Sequence, residues 1–243
     1  MSGERWGERE ARWYDELAAD MFAPGVVDPA VAFLAELAGD GGALELGIGT
    51  GRIALPLARR GVRVHGIDSS APMLARLQAK GGAEHIGVTL GDFATVTVPD
   101  TFALVYLVWN AITNLTSQDE QVACVANAAA HLRPGGCLVI EVDVPQLQRL
   151  PPGETARPFT VSDTRLGFDE YDVVAQVQVS HHFWKVGDTF EASAAPYRYV
   201  WPSELDLMAR LAGMTLRERW GGWRREPFTA DSTRHVSVWQ MAP

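Results

Sequence analysis

A glycine-rich turn and two later carboxylates are the residues of this sequence best suited to bind a small ligand. The turn reads Glu45-Leu-Gly-Ile-Gly-Thr-Gly51, and Asp68 and Asp92 each follow a short apolar segment. Glycine lets a backbone turn sharply and approach a ligand closely, because no Cβ stands in the way. The helix after such a turn begins with N–H groups that have no partner within the helix. This arrangement predicts a nucleotide site in which Asp68 accepts hydrogen bonds from two ribose hydroxyls.

The turn by itself fits two kinds of nucleotide. A dinucleotide site would offer much the same geometry, although its turn usually reads G-x-G-x-x-G and this one reads G-x-G-x-G after Glu45. Two further features accompany the turn: Asp92 is followed by Phe93, and the segment His131-Leu-Arg-Pro-Gly-Gly136 leads into an apolar run. The four features together are more specific than the turn alone, and they disfavour the dinucleotide.

This set resembles the class I S-adenosylmethionine-dependent methyltransferases. In that family a nucleotide-binding turn, an acidic ribose residue, an Asp-Phe adenine clamp and an L-x-P-G-G turn occur in the same order. The resemblance is close over about residues 40–145 and loose, by order of elements, over the rest. It implies S-adenosyl-L-methionine as the cofactor and S-adenosyl-L-homocysteine as the product. It also implies a mostly parallel seven-stranded sheet that ends in an antiparallel hairpin.

The resemblance assigns the glycine turn to the methionine part of the cofactor. Gly47 and Gly49, in the turn that Gly51 completes, would run beside this part, and Glu45 would lie near its amino group. Arg52 would either lie over the cofactor's carboxylate or cap the surface of the first core helix. These roles are implied by the family and are carried over position by position.

The adenosine part falls, by the same resemblance, on residues that follow the second and third strands. Asp68 would accept hydrogen bonds from the ribose hydroxyls, and Ser69 and Met73 would border the adenine. Core packing is the alternative for Met73, which occupies an apolar helix position. Asp92 would accept a hydrogen bond from the adenine amine, while Phe93 packs beside the ring.

The end of the fourth strand, from Leu107 to Asn110, is where the family brings the methyl group to its acceptor. Trp109 would either face the sulfonium, whose positive charge an aromatic ring attracts, or form a wall of the pocket. An N-terminal helix often covers the cofactor in this family. The matching segment is 13–15, in which we expect Tyr14 to contact the cofactor. A helix that only packs on the core is the alternative.

A methyl transfer by direct displacement needs a base only if the acceptor must lose a proton. The candidates are His181 and His182, adjacent residues whose side chains point to opposite faces of a predicted strand, so at most one reaches a given pocket. Imidazole suits deprotonation of an ammonium or hydroxyl group near neutral pH, but a strand histidine is more often a surface or core residue. Alternate members of the polar-aromatic segment 197–201 would line the pocket or form a dimer contact.

The hydrophobic pattern predicts the elements that hold these residues. Short apolar strands alternate with helices between residues 43 and 144, which favours an α/β fold with a doubly wound, mostly parallel sheet covered on both faces. Ligands of such sheets bind at the carboxyl ends of the strands, where the turn and both carboxylates lie. Before the sheet, segment 4–22 has helical periodicity, and a second helix is predicted over roughly 28–38, starting after Pro29.

The pattern changes after Pro145, where an antiparallel β insertion is predicted before the last helix. Residues 171–184 alternate and predict one strand that pairs with 190–201. The layout loosely resembles that of bacterial small-molecule and sugar-amine N-methyltransferases. We therefore predict four parts: a helical lid (1–40), a cofactor-binding core (41–145), an insertion for the acceptor pocket or a dimer contact (146–201), and a C-terminal helix with the closing strands (202–243).

The composition limits the partners of the protein. The 243 residues carry a net charge of -9 with no run of Lys or Arg, which disfavours nucleic acid. Cys124 and Cys137 lie in apolar segments without metal or redox spacing, so both are predicted to be reduced core residues. With no apolar leader and no apolar stretch of membrane-spanning length, we expect a cytoplasmic protein that does not bind membranes.

We therefore predict a metal-free methyltransferase that acts on the nitrogen or oxygen of a small metabolite. The segment Trp109-Asn-Ala-Ile-Thr lacks the Asn/Asp-Pro-Pro-aromatic motif of nucleic-acid amino-methyltransferases. The fourth strand also lacks the final acidic residue of the metal-dependent catechol type. A cofactor-binding protein without catalysis and a protein or RNA methyltransferase stay open as alternatives, as does a homodimer.

Overall fold

The computed structural model describes residues 6–243, apart from the side chains of Arg9 and Leu17. The predicted helical segment 4–22 and the predicted lid 1–40 therefore begin outside the described residues. The helices are α1 (Glu8–Leu17), α2 (Pro24–Ala38), α3 (Ala54–Arg59), α4 (Ala71–Gln78), α5 (Gln118–Ala130) and α6 (Pro202–Leu211). The strands are β1 (Ala43–Leu46), β2 (Val64–Asp68), β3 (Gly87–Leu90), β4 (Phe102–Leu107), β5 (Leu132–Asp143), β6 (Ala156–Val161), β7 (Arg165–Asp172), β8 (Val177–Val186), β9 (Thr189–Arg198), β10 (Met214–Trp220) and β11 (Arg234–Met241).

Seven strands form the central sheet in the order β3-β2-β1-β4-β5-β11-β10. The first five of these run parallel, and β11 is antiparallel to both β5 and β10. The predicted doubly wound, mostly parallel sheet with a closing antiparallel hairpin is confirmed. The strand order reverses between β1 and β4, and ligands of such sheets bind at this point, beyond the carboxyl ends of the strands.

Apolar side chains cover both faces of the central sheet. Every residue of β1 and of β4 is buried, as expected of central parallel strands, and Glu45 of β1 is their one charged-type residue. Residues of α2, α3 and α4 pack in one cluster, and residues of α5 and α6 pack in another. Cys124 and Cys137 are both buried and unpaired. The carboxyl edge of the sheet is thereby held rigidly from two sides.

The predicted start of the second helix, just after Pro29, is wrong. Helix α2 begins at Pro24 and carries Pro29 in its interior. Proline has no N–H to donate to the carbonyl four residues earlier, which here belongs to Gly25. The Arg224 guanidinium donates to that carbonyl at 3.4 Å, so a distant side chain satisfies the group that Pro29 leaves free.

A second sheet of four antiparallel strands, β6-β7-β8-β9, forms the predicted insertion. The prediction of one strand over 171–184 is wrong, because the chain reverses between β7 and β8. Asp172 Oδ1 accepts hydrogen bonds from the N–H groups of Val174 and Ala175, and Gln176 has a φ of +54°. The alternating pattern continues through this turn, so periodicity alone does not reveal it. Strand β6 was not predicted, and Pro158 lies within it.

Strand β4 ends at Leu107, whereas the apolar run in the sequence predicts a strand that continues to Trp109. Trp109 and Asn110 have φ angles of +50° and +61°, a left-handed conformation that non-glycine residues seldom adopt and that ends a strand. Trp109 N–H donates to the Glu141 carboxylate at 2.9 Å, and Asn110 exchanges two hydrogen bonds with Asp143. These contacts with β5 hold the turn. Among residues 6–243, the helices are too short or too polar to cross a membrane.

Candidate active site

A cavity of about 940 Å³ lies beyond the carboxyl ends of the central strands. One side of the cavity is formed by the glycine turn, the end of β2 and the turn after β4. The opposite side is formed by one face of the inserted sheet. The cavity therefore has one half that is built by the core and a second half that is built by the insertion.

The three glycines of the turn have different reasons to be glycine. All three have positive φ angles, which residues other than glycine rarely adopt: +83° at Gly47, +54° at Gly49 and +81° at Gly51. A Cβ on Gly49 would meet no atom of the described residues within 4 Å, and both Gly47 and Gly49 line the cavity. A Cβ on Gly51 would lie 2.3 Å from the Leu77 side chain of α4. Gly51 thus serves the packing of the turn on α4, while Gly47 and Gly49 present backbone to the cavity.

Asp68 lies at the end of β2 and is held in place through both of its carboxylate oxygens. Oδ2 accepts from Gly49 N–H at 2.8 Å, and Oδ1 accepts from Ser70 N–H at 2.9 Å. Burial raises the pKa of Asp68, and these N–H groups counteract the rise. Ser69 lines the cavity next to it, as does Met73, whose side chain belongs largely to the core at 3% exposure.

Glu45 is the buried carboxyl at the cavity's base. It is 2% exposed, and the Tyr106 hydroxyl donates to its Oε2 at 3.0 Å. Burial raises the pKa of Glu45 to about 8, although Tyr106 and the Arg52 guanidinium partly oppose the rise. The carboxyl is therefore largely protonated at neutral pH, and a cationic ligand beside it would favour the ionised form.

Arg52, Trp109 and Tyr14 meet at the cavity wall. The Arg52 guanidinium lies 5.0 Å from the centre of the Trp109 ring and donates to the Met21 carbonyl at 3.3 Å. The Tyr14 ring lies 5.9 Å from that of Trp109, and burial raises the pKa of Tyr14, which keeps it a neutral phenol. All three side chains line the cavity. The structure thus unites three residues that lie far apart in the sequence.

Helix α1 is anchored over the glycine turn by polar contacts. Asp15 accepts a hydrogen bond from the Thr50 hydroxyl at 2.6 Å and pairs with Lys80, which also donates to the Thr50 carbonyl at 2.8 Å. The Ser70 hydroxyl donates to the Trp6 carbonyl. Sequence reasoning missed Thr50 and Lys80, because no spacing connects them with Asp15.

Three of the predicted cofactor-binding residues do not line the cavity. They are Gly51, Asp92 and Leu107. Leu107 is fully buried, and Asp92 Oδ1 accepts a hydrogen bond from the Ala94 N–H at 2.9 Å. Phe93, in contrast, borders the cavity with its ring. Asp92 therefore shapes the loop that presents Phe93.

The inserted sheet separates the two predicted histidines. His182 lines the cavity, whereas His181 faces the other side of the sheet. There the His181 ring stacks on Phe168 at 4.5 Å, and its Nε2 lies 3.3 Å from the Glu170 carboxylate. Asp169, Ser180 and other cavity residues of this sheet were not predicted from the sequence, because the strand pairing that aligns them was not predicted.

The insertion's half of the cavity is lined by tyrosines together with polar and charged side chains. Tyr171 and Tyr199 have ring centres 6.1 Å apart, and burial raises the pKa of Tyr171 to about 12. Asp169 of β7 and Asp143 at the end of β5 also line the cavity, as do Arg149, Arg157 and Arg234. Within the described part of the chain, no three His, Cys, Asp or Glu side chains are grouped to hold a metal ion. The cavity therefore combines aromatic rings with side chains of both charges.

Comparison with known proteins identifies the family of the chain. A methyltransferase-domain family model matches residues 43–136, which include the glycine turn, Asp68 and Asp92. The cypemycin N-terminal methyltransferase of a Streptomyces species is 32% identical over 204 residues, which are 80% of this chain and 81% of the relative. The chain belongs to the class I S-adenosylmethionine-dependent methyltransferases.

Solved structures agree with this assignment over nearly the whole methyltransferase. The CcbJ methyltransferase from Streptomyces caelestis is 37% identical, with a TM-score of 0.87 over 98% of both chains. CalS10 from Micromonospora echinaspora, an aminopentose methyltransferase solved with S-adenosylmethionine, shares the fold at 24% identity and a TM-score of 0.65, over 95% of this chain and 94% of that one.

The enzyme uses S-adenosylmethionine as its cofactor. Its cavity fits this molecule chemically. The backbone at Gly49 leaves room for a ligand, and the carboxylate of Asp68 borders the same cavity as a hydrogen-bond acceptor. Among residues 6–243, Glu45 is a buried carboxyl that forms no ion pair, and it is suited to a ligand's ammonium group.

Proposed function

We propose that this methyltransferase methylates the nitrogen of a small amine bound between the glycine turn and the inserted sheet. The observation that carries the proposal is one continuous cavity that joins the two halves and is lined by neutral tyrosines and by the carboxylates Asp143 and Asp169, beside three arginines. Anionic oxygens and aromatic faces both favour a group that is or becomes cationic. The name of the cypemycin N-terminal methyltransferase also supports an amine acceptor.

The chemistry requires alignment more than a reactive side chain. Bound S-adenosylmethionine supplies a methyl group on a sulfonium, so the acceptor lone pair forms the N–C bond while the C–S electron pair stays on sulfur. The amine attacks in its neutral form and leaves as a methylammonium, which balances the charge. The chain's part is to orient both reactants and to exclude water.

Three parts of the fold would carry out this alignment. Gly47 and Gly49 would hold the methionine part, and Asp68 would hold the ribose. Arg52, Trp109 and Tyr14 would close the cavity around the reacting atoms, with helix α1 as a lid fixed by Asp15. The inserted sheet would supply the acceptor pocket. The tyrosine-rich wall limits this pocket to a compact, partly apolar molecule.

The proposal is tested by a methylation screen that uses S-adenosylmethionine with a deuterated methyl group. The acceptors are matched pairs that differ only in an amino or a hydroxyl group, and the products are detected by mass spectrometry. We expect labelled methyl on the amines, with fragmentation that places it on nitrogen. Methylation of the alcohols or phenols alone would overturn the amine assignment. Asp68→Ala is the control, since it should weaken S-adenosylhomocysteine binding by roughly 1–3 kcal/mol through lost hydrogen bonds.

A further inference from the structure

The cavity face of the inserted sheet carries three polar residues joined by hydrogen-bond contacts. Asp169 of β7 lies opposite Ser180 of β8 in the antiparallel register, and His182 follows Ser180 on the same face. All three line the cavity, and Ser180 is 8% exposed. No part of the glycine turn takes part in this cluster. It is therefore a separate polar feature of the acceptor half.

The direction of the hydrogen bonds follows from the chemistry of the three groups. The Ser180 hydroxyl donates its proton to Asp169 Oδ1 at 2.7 Å. His182 Nε2 lies 3.4 Å from the same hydroxyl oxygen, so the contact fits an Nε2–H that donates to Ser180. His182 Nδ1 is buried and has no hydrogen-bond partner among residues 6–243. The imidazole thus supports Ser180 and does not turn its lone pair toward the cavity.

Aromatic rings hold the imidazole in place, so Asp169 is the member of the cluster that is available to bind a ligand. The His182 ring is stacked at 5.5 Å on Trp184 and lies 5.2 Å from Phe159. Burial and the Arg165 charge lower the pKa of His182, which keeps the ring neutral. Asp169 is only partly buried, and Ser180 occupies one of its oxygens.

Asp169 lacks a cationic partner among the described residues. Arg157 is its neighbour across β6 and β7, yet the two side chains form no ion pair, and Asp169 takes part in no other salt bridge. A partly buried carboxylate in a ligand cavity gains most from a ligand group that brings both a positive charge and an N–H donor. Tyr171, two residues along the same face, adds an aromatic wall beside it.

We propose that Asp169 binds the acceptor's amino group and that Ser180 and His182 are positioning residues that fix the Asp169 carboxylate. This inference rests on the proposed amine acceptor. The nitrogen changes from neutral to positive as it takes the methyl group, so a carboxylate that accepts one of its N–H bonds stabilises the product charge more than the neutral amine. Loss of Asp169 should therefore lower kcat as well as raise the acceptor KM.

The test compares an amine with its uncharged isostere. Phenethylamine and 2-phenylethanol are titrated by calorimetry into protein saturated with S-adenosylhomocysteine. Asp169→Asn should weaken phenethylamine binding at least about tenfold, as expected for a hydrogen bond to a charged group, and leave 2-phenylethanol unchanged. Ser180→Ala and His182→Gln should weaken phenethylamine binding by roughly three- to tenfold. Ser180→Thr keeps the hydroxyl and should restore most of the affinity.

Glu170→Gln is the matched control, because it removes the neighbouring carboxylate on the opposite face of β7. It should leave both ligands unaffected, and S-adenosylhomocysteine affinity and the unfolding midpoint should stay constant across the set. Equal amine binding by Asp169→Asn and Glu170→Gln overturns the inference and leaves the amine acceptor standing. Wild-type binding of the amine no tighter than the alcohol also overturns it. A methylation screen that yields only O-methyl products overturns the proposed function itself.

Discussion

Glu45 shows how burial changes the protonation of a carboxyl that borders the cavity. It lies in a fully buried strand, where the Tyr106 hydroxyl donates a hydrogen bond to its side chain. In this environment the neutral acid is favoured until a positive group arrives. Asp68 differs, because two backbone N–H groups hold its carboxylate at the end of β2. These N–H groups oppose the rise that burial causes in the pKa of Asp68.

The Glu45→Gln variant should become more stable relative to the wild type as the pH rises. In the unfolded chain Glu45 loses its proton near pH 4.5, the ordinary pKa of a glutamate, while the folded protein retains the proton up to about pH 8. Between these values ionisation favours the unfolded chain, so the wild type loses stability that glutamine does not lose. We expect a relative gain on the order of 2–5 kcal/mol from pH 5 to pH 9, measured by urea unfolding. Glu154→Gln, at an exposed position, should show no such trend.

At the scale of elements, a buried polar network joins the inserted sheet to the core. Arg198, at the end of β9, is 3% exposed and donates to Gln121 of α5, to Gln176 and to Glu204 of α6. Gln121 returns a hydrogen bond to the Arg198 carbonyl at 3.0 Å. The network sets the position of the inserted sheet, and thereby of Asp169 and Tyr171, relative to the cofactor half.

Arg198→Met should destabilise the protein by roughly 3–5 kcal/mol, because it removes the cationic partner of the half-buried Glu204 carboxylate and the donor to the buried Gln121 Oε1. Chemical denaturation measures the loss. The double variant Arg198→Met/Glu204→Gln should recover part of it, since the unpaired carboxylate is gone. Arg210→Met, at an exposed position of α6, is the control and should change stability little. A loss for Arg198→Met as small as that of the control would contradict a structural role for the network.

At the scale of the whole molecule, the closing hairpin completes the sheet from the far end of the chain. Strand β11 inserts between β5 and β10, and its His235 is fully buried. His235 Nδ1 lies 2.8 Å from the Ser237 hydroxyl, while Nε2 has no partner within the described residues. Burial and the Arg219 charge lower the pKa of His235 to about 4, although Asp206 opposes this.

The buried His235 should make the folded protein sensitive to mild acid. The unfolded chain takes up a proton at this residue below about pH 6.5, whereas the folded protein does so only near pH 4. Stability should therefore fall as the pH drops through this window, by up to roughly 3 kcal/mol. From pH 7 to pH 4.5 the unfolding free energy of the wild type should fall by more than that of His235→Gln. His85→Gln, at an exposed histidine, should show no such change.

The sequence by itself determined that the glycine turn and Asp68 lie at one edge of the sheet, because they stand at the ends of the neighbouring strands β1 and β2. A parallel sheet places the carboxyl ends of its strands at one edge, so the positions of Glu45, Gly47 and Asp68 in the chain predict their meeting in space. The acceptor half depends on contacts that no local pattern encodes. The turn at Asp172 breaks an alternation that continues in the sequence, and antiparallel register then decides that Asp169 meets Ser180 and that His182, not His181, faces the cavity. Only the tertiary structure decided this half, since a shift of one residue in pairing would exchange the two faces.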